Sequence, residues 1–494
     1  MVDSTSYRHR WALALFSMTT ALLFADQNLM APSLTAIAKE FDMNDEDRDR
    51  KLGGDISLAF FLLGVPASLI VGLLADTHDR SKVFGWTVFI GETACFLTYF
   101  VRTYNQLYIC RAVNGFSIGG ALPVIYSIVG DLFSAEDRHI VSAIVSFGMG
   151  AGISVGQAVA GYIGPIFGWR LPFIIISVPA LFCAVLVYFT VEDPERGAME
   201  HISEKNMAET GENEDGIALV PIKSHRNDND NKTHINESNN HCDHIDDNVY
   251  MKDEGTVKLF HENNRSISYW KNQLEAIISL LMTPTVALSL LQGAPGCVPW
   301  GIINVFLNDY LSEDRGFSVQ AATTILVCFS VGYSLGLVVG GAGGRFLYKI
   351  DIRFPALLAG GTAIMGCFPL WYLINFVDST TPYYISISSA IVAGLGSAPT
   401  GPIIKATLTN VTLPNTRGKA FALFTILNDL GNGLGPYFVS LLGVKFGGRL
   451  PAFNIGVFGW ILCGFTNLAI FFTVVRDERM VQTTLAGVAQ VNVV

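Results

Sequence analysis

Residues 138–172 read RHIVSAIVSFGMGAGISVGQAVAGYIGPIFGWRLP, and residues 417–451 read RGKAFALFTILNDLGNGLGPYFVSLLGVKFGGRLP. Each stretch opens on an arginine, runs apolar and glycine-rich, and closes on Arg170-Leu171-Pro172 or Arg449-Leu450-Pro451. With an ungapped offset of 279, Gly152 and Gly156 fall on Gly431 and Gly435, Gly115 on Gly394, and Phe167-Gly168 on Phe446-Gly447. A second offset, 268, places Gly64 and Gly72 on Gly332 and Gly340. The chain is therefore two copies of one helical unit read in the same direction. In so apolar a chain, parallel repeats point to two halves that rock about a site near the membrane midplane.

Half of the 494 residues are hydrophobic, with 48 glycines, 33 phenylalanines and only 15% charged residues. Mean hydropathy is +0.41. Apolar runs of twenty residues and more read as membrane spans, not as the short core segments of a soluble domain. Twelve are expected, at 11–31, 54–75, 82–102, 107–131, 137–164 and 169–190, then 277–308, 318–343, 354–375, 383–409, 418–444 and 450–474. The fold class is all-α integral membrane, two parallel six-helix repeats. Its parts are a first half at 1–190, a linker at 191–275, a second half at 276–475 and a tail at 476–494.

The net charge of −10 is local. Residues 191–274 hold 18 acids against 9 bases. The low pI thus says nothing of nucleic acid or an anionic surface, and no nucleic-acid partner is expected. That segment is too polar to fold alone and reads as disordered. Its His241-Cys242-Asp243-His244 string is a poor metal site in such a context. The eight cysteines show no disulfide or metal spacing, so neither metal nor cofactor is expected. The first apolar run is full length and lacks a cleavage site, which suits a signal anchor. Lysine and arginine in the short loops favour the side that carries both termini, including Arg8, Arg10, Arg345, Arg353, Arg476 and Arg479. Both termini and the linker are thus expected in the cytoplasm, in a membrane left open. Three sequons in the linker, at Asn231, Asn236 and Asn264, offer a check: a cytoplasmic linker stays unglycosylated.

The second span ends Gly72-Leu73-Leu74-Ala75-Asp76, with Arg80 and Lys82 in the turn beyond. Small residues permit close helix approach there, and the charges can lock neighbouring helix ends. This resembles the loop 2–3 signature of the major facilitator superfamily, G-x-L-a-D-r-x-g-R-k, matching at Gly72, Leu74, Asp76 and Arg80 and departing at Thr77 and Asp79. The second-half counterpart, Gly340 to Arg345, keeps the glycines and loses the acid. The resemblance implies a gate in which Asp76 sits against the start of span eleven near Arg417, with Arg138 at the equivalent place in the first half. Arg111 and Gly115 resemble the family's R-x-x-x-G motif, and Gly148, Gly152 and Gly156 its stripe of small residues on span five; plain close packing is compatible with that stripe.

Phe24-Ala25-Asp26-Gln27-Asn28 in span one, Gln292 to Trp300 in span seven, and Asn428-Asp429-Leu430-Gly431 resemble the spinster-like branch, a lipid-linked group of the superfamily. Two positions depart from the branch: Gln27 stands where an arginine is usual, and Ile118 where an acid is usual.

Ionisable residues inside spans are expensive and default to functional candidates. There are five: Asp26, Glu92, Arg111, Lys405 and Asp429. No histidine lies deep within a span, so proton coupling would need carboxylates. Asp26 and Arg111 are expected to pair, either as a coupling device in which Arg111 exchanges Asp26 for an anionic substrate or as a static structural pair. Asp429 replaces Gly150 of the first repeat and is expected to face the cavity beside Asn428; Lys405 either reaches toward it or snorkels to the interface. Glu92, on a helix that is peripheral in such folds, is expected to be protonated or bonded to a neighbour. Pro295 and Pro299 should break span seven beside Trp300 and Gln292, which suits a gate helix or a static kink.

The reading is an alternating-access transporter. The resemblance implies an amphipathic organic anion, a lysolipid or a sphingoid-type molecule as cargo, with protons as a further partner. A carrier of a small carboxylate or sugar stays open, as does a non-transporting sensor that signals through the linker. An integral-membrane enzyme is disfavoured, because no span carries a histidine cluster, a Cys/His pair or a close carboxylate pair.

Overall fold

Among the described residues, twelve long helices run through two similar halves. The computed structural model describes residues 4–132, 135–194, 275 and 277–491; the side chains of Asp76 and Arg138 lie outside the described residues, as does most of the expected linker with its His241-Cys242-Asp243-His244 string. The bundle comprises Met1–Gly197 and Ser279–Val494.

The first half contains α1 (Ser4–Gln27), α2 (Ile56–Thr77), α3 (Arg80–Leu97), α4 (Tyr104–Leu132), α5 (Ala135–Phe167) and α6 (Leu171–Thr190). The second contains α7 (Pro284–Glu313), α8 (Val319–Ile350), α9 (Phe354–Asn375) and α10 (Tyr383–Asn410), followed by α11 (Pro414–Phe446) and α12, which runs from Arg449 to Val491 with a break at Phe458. Among the described residues, nine of these are long and apolar enough to cross a membrane. The other three, α1, α5 and α11, have 24, 33 and 33 residues, against the ~20 that a bilayer requires. Large apolar side chains stand exposed along the outer faces, Phe189 and Phe472 among them, as a lipid-facing surface demands.

In span seven, expected from 277, residues 277–282 are helical, the backbone breaks at Thr283, and the long helix starts at Pro284. Proline lacks the N–H that a first-turn residue would leave unpaired, so the helix begins there. The Thr285 amide that follows is capped by Asp477 of α12 at 2.8 Å. The helix is then broken, as its prolines foretell: Pro284–Leu291, Gly293–Gly301, a π-helical turn Ile302–Phe306, and Leu307–Glu313. At the other end of the chain, the stretch expected as a tail from 476 continues helical to Val491.

The repeat is visible in the packing. α1 packs along α5 as α7 packs along α11, and α2 along α4 as α8 along α10. Glycine permits each crossing. A Cβ at Gly152 or Gly156 would fall on the carbonyl oxygens of Ala21 and Ala25 in α1, and one at Gly435 would lie 2.7 Å from the carbonyl oxygen of Cys297 in α7. Backbones this close leave no room for a side chain.

Three apolar cores follow from this arrangement. One holds only first-half residues, Phe16, Phe84 and Ile125 among them, and another only second-half residues, including Val286, Leu408 and Phe424. The third is shared: Leu29, Leu34, Ile37 and Phe173 pack with Phe306, Tyr310 and Phe453. The shared core lies at the far end, where α1 ends and α7 finishes. The separate cores lie at the near end, where α1 begins and α12 finishes. The halves are thus fused at the far end and individually packed at the near end.

Candidate functional site

The first candidate site is built where α1, α3, α4 and α6 converge. Asp26, in the last turn of α1, is fully buried and pairs with Arg111 of α4 at 2.7 Å. Arg111 also donates to the Asp26 backbone carbonyl at 3.1 Å. Asn114, one turn along α4, donates to the other carboxylate oxygen of Asp26 and to the Gly91 carbonyl of α3 at 3.3 Å. The Cys95 thiol of α3 lies 2.9 Å from Asp26. The Arg111 guanidinium lies 5.7 Å from each of the ring centres of Phe60 and Phe173. A charge buried this deeply is tolerable only with such complete pairing.

Glu92 joins this cluster, which the sequence reading did not expect. It is fully buried, neither carboxylate oxygen has a hydrogen-bond partner, and its carboxylate lies within 4.8 Å of the Asp26 carboxylate and the Cys95 sulfur. The expectation that no close carboxylate pair exists is thereby corrected. The two acids are far apart in sequence, and only the approach of α3 to α1 brings them together. With one guanidinium for two carboxyls, a second negative charge would be uncompensated there.

The second-half candidates do not form an equivalent cluster. Asp429 is half-buried on α11, and Lys405 makes no ion pair with it. The Asn428 side-chain oxygen sits 2.9 Å from where a Gly293 Cβ would stand, so Asn428 packs against the start of the broken segment of α7. Gln292 is buried and accepts from Cys463 of α12 at 3.2 Å. Trp300 packs edge-on against Phe329, Tyr333 and Trp460 within its own half. Gly431 is covered by the Cys297 side chain.

At the near end, Arg80 is buried within the first half. It donates to Asp193 at 2.7 Å, to Ser127 Oγ at 3.2 Å, to the Pro194 carbonyl at 2.7 Å, and to Asp131. It therefore braces α3 against the ends of α4 and α6. Asp79 caps α3 by accepting from the Lys82 amide at 3.0 Å, and the Lys82 ammonium lies 3.0 Å from the same carboxylate. Among the described residues, a Cβ at Gly72 or Gly418 would meet no atom of another segment within 4 Å, and the buried Arg417 Nε–H has no hydrogen-bond partner. Leu74 is exposed. Gly115 and Gly148 abut the Phe60 and Ser17 carbonyls of α2 and α1.

A further set of residues, at the far end, escaped the sequence reading. Asp309 of α7 is buried and accepts from the Thr35 amide at 2.8 Å and from the Thr35 hydroxyl at 2.9 Å, both across the interface between halves. Arg449, at the start of α12, donates to Asp309 at 2.8 Å and crosses the interface to Asp49 at 2.6 Å. Arg48 pairs with Asp49 at 2.9 Å and approaches Asp309 at 3.9 Å. The signal was present in the stretch 39–51, which carries four bases and six acids. Its role depends on partners about 260 and 400 residues away in the sequence.

The sequence profile of the Major Facilitator Superfamily matches residues 16–436 and, in a second alignment, 297–490. The chain belongs to the major facilitator superfamily. It is 22% identical over 412 residues to the benzoate transport protein of Acinetobacter baylyi, covering 81% of this chain and 76% of that protein. It is 27% identical over 181 residues to the niacin transporter NiaP of the same organism, covering 37% of this chain and 39% of that protein. Synaptic vesicle glycoprotein 2B of Rattus norvegicus is 28% identical over 184 residues, a match that spans 34% of this chain and 27% of that protein. In fold, the chain is similar to a bacterial homolog of the human lysosomal transporter Spinster in an inward-facing, unoccupied conformation, with a TM-score of 0.69 at 16% identity, covering 95% of this chain and 98% of that one. A D-xylose-proton symporter gives a TM-score of 0.61 at 16% identity, covering 94% and 97%. This major facilitator protein is thus an integral, multi-pass membrane protein.

Proposed function

We propose that this major facilitator protein is a secondary-active transporter for an amphipathic organic anion, working by alternating access and coupled to protons through Asp26. One observation carries the reading: Arg111 is buried with the Asp26 carboxylate against it at 2.7 Å. An anionic substrate group can take the place of that carboxylate only if Asp26 accepts a proton, since otherwise two buried negative charges would share one guanidinium. Anion and proton would then enter together, and loss of the proton would return Arg111 to Asp26 and release the anion.

The fused far end and the separate near-end cores support a state open at the near end. Lysine and arginine in the short loops favour the cytoplasmic side for that end. An amphipathic cargo, such as a lysolipid, is what the resemblance of the Asp26, Gln292–Trp300 and Asn428–Gly431 strings to the spinster-like branch implies. A small carboxylate is the second reading, favoured by relatives named for benzoate and niacin. Uptake by reconstituted liposomes under an imposed pH gradient separates the two. Labelled lysophospholipid should move and labelled benzoate should not; benzoate uptake alone would transfer the assignment to the small carboxylate, and movement of neither would overturn both.

A further inference from the structure

The two repeats differ at one buried place, and the difference leaves a cavity. In the first half the Arg80 guanidinium fills the space between the near ends of α3, α4 and α6, held by Ser127, Asp131 and Asp193. The offset of 268 that aligns Gly72 with Gly340 brings Tyr348, in the last turns of α8, into register with Arg80, which opens α3. The offset of 279 puts Ala406 at Ser127 and Asn410 at Asp131. Glu478 completes the set by contact: it accepts from the Tyr348 hydroxyl as Asp193 accepts from Arg80. The second half has therefore kept one acid and lost the guanidinium that neutralises it.

Tyr348, Ala406, Asn410 and Glu478 all line a cavity of about 270 Å³ at the near end of the second half. Glu478 is 5% exposed, and its second carboxylate oxygen is buried without a hydrogen-bond partner. A buried carboxylate oxygen with no donor is costly, and a nearby cavity gives a donor room to enter. Asn410 adds a neutral amide able to accept, in the place where the first half uses a carboxylate. Arg345, exposed at the rim, also lines the space and makes no ion pair with Glu478. It repels a second positive charge and welcomes an anionic group on the outer end of whatever enters.

We propose that this cavity is a binding site for a small monocationic ligand bearing a guanidinium or primary ammonium group, which takes the place that Arg80 holds in the first half. The group donates to Glu478 and to the Asn410 side-chain oxygen. The rest of the ligand points past Arg345 toward the aqueous phase. The site is separate from the Asp26–Arg111 cluster and does not depend on what that cluster transports.

The test uses the full-length protein in detergent, titrated with methylguanidine and followed by calorimetry and thermal unfolding. Urea, which matches the guanidinium head without its charge, is the control, and L-arginine adds a carboxylate that Arg345 at the rim can answer. Saturable binding of methylguanidine, tighter for L-arginine and absent for urea, is expected. Glu478→Gln should weaken it roughly 10- to 100-fold, the loss of one charge-assisted hydrogen bond. The double variant Tyr348→Arg/Asn410→Asp rebuilds the first-half arrangement; it should unfold at higher temperature without ligand and show no response to methylguanidine. No saturable binding to the wild type, an undiminished response in Glu478→Gln, or a response that survives in the rebuilt variant would each overturn the proposal. The rebuilt variant decides the matter if Glu478→Gln does not fold.

Discussion

Replacing Asp309 by alanine should unlatch the far end of the bundle. The carboxylate accepts two hydrogen bonds from Thr35 across the interface, at 2.8 and 2.9 Å, and holds Arg449 at 2.8 Å within its own half. Hydrogen bonds to a charged group contribute about 1.5–3 kcal/mol each. Losing the two that cross the interface therefore costs the far-end-closed state at least about 3 kcal/mol. The far-end-open state gives up those bonds in any case, so the change falls almost wholly on one side of the equilibrium. At about 1.4 kcal/mol per factor of ten, the population ratio moves by on the order of a hundredfold. Arg449 keeps Asp49 and Asp314, at 2.6 and 3.0 Å, so the variant should still fold. Spin labels at the exposed far-end positions Asn105 and Thr380, in a cysteine-depleted background, report the separation of the halves by double electron–electron resonance. A new, longer distance population in Asp309→Ala is expected. A distribution identical to that of the parent would refute the view that this cluster holds the far end shut.

Three further outcomes follow from the packing and the charges. Gly152→Val should lower the unfolding temperature sharply, a loss of several kcal/mol, because its Cβ would fall on the Ala21 carbonyl, whereas Gly150→Ala, whose Cβ meets no described atom of another segment within 4 Å, should be nearly neutral in the same assay. Asp26→Asn and Glu92→Gln should not be additive in thermal stability, since the second carboxyl lies within 4.8 Å and can answer Arg111 when the first is neutralised; strictly additive shifts would show the two acids to be independent. The Arg170 hydrogen bond to Glu40, opposed by burial and helped by Trp169, holds the Glu40 carboxyl below its ordinary value. A lowered folded value stabilises above the ordinary carboxylate range and is lost as pH falls through the folded value, so acid should loosen the 34–40 segment first. Hydrogen exchange in that segment, compared between wild type and Glu40→Gln as pH falls through that range, checks this; protection in the wild type that does not fall with acid would contradict it.

Much of the architecture was legible because membrane spans and glycine stripes are local signals. The offset between Gly152 and Gly431 announces the repeat, and the helix crossings at Gly152, Gly156 and Gly435 explain why the spacing matters. Asp26 and Arg111 stood out as single charges within apolar runs. Glu92 was harder to place, since whether a helix is peripheral says nothing about where one of its faces points. Asp309 and Asp49 were invisible as a pair for a different reason: each sits among charges at a helix end, where acids and bases are common, and only the closing of two halves singles them out. The Tyr348–Glu478 counterpart of Arg80–Asp193 needed both sources, the repeat register for Tyr348 and the contact itself for Glu478. The break at Thr283 in span seven was not legible from hydropathy, because it is Pro284 that sets the first turn of the long helix.

The most direct test of proton-coupled transport through Asp26 compares two fluxes in liposomes reconstituted with wild type or Asp26→Asn. One is accumulation of labelled lysophospholipid driven by a pH gradient; the other is exchange of labelled for unlabelled substrate without a gradient. Coupling through Asp26 predicts that the variant loses gradient-driven accumulation and its pH dependence while exchange persists. Accumulation in the variant with the full pH dependence of the wild type would contradict it.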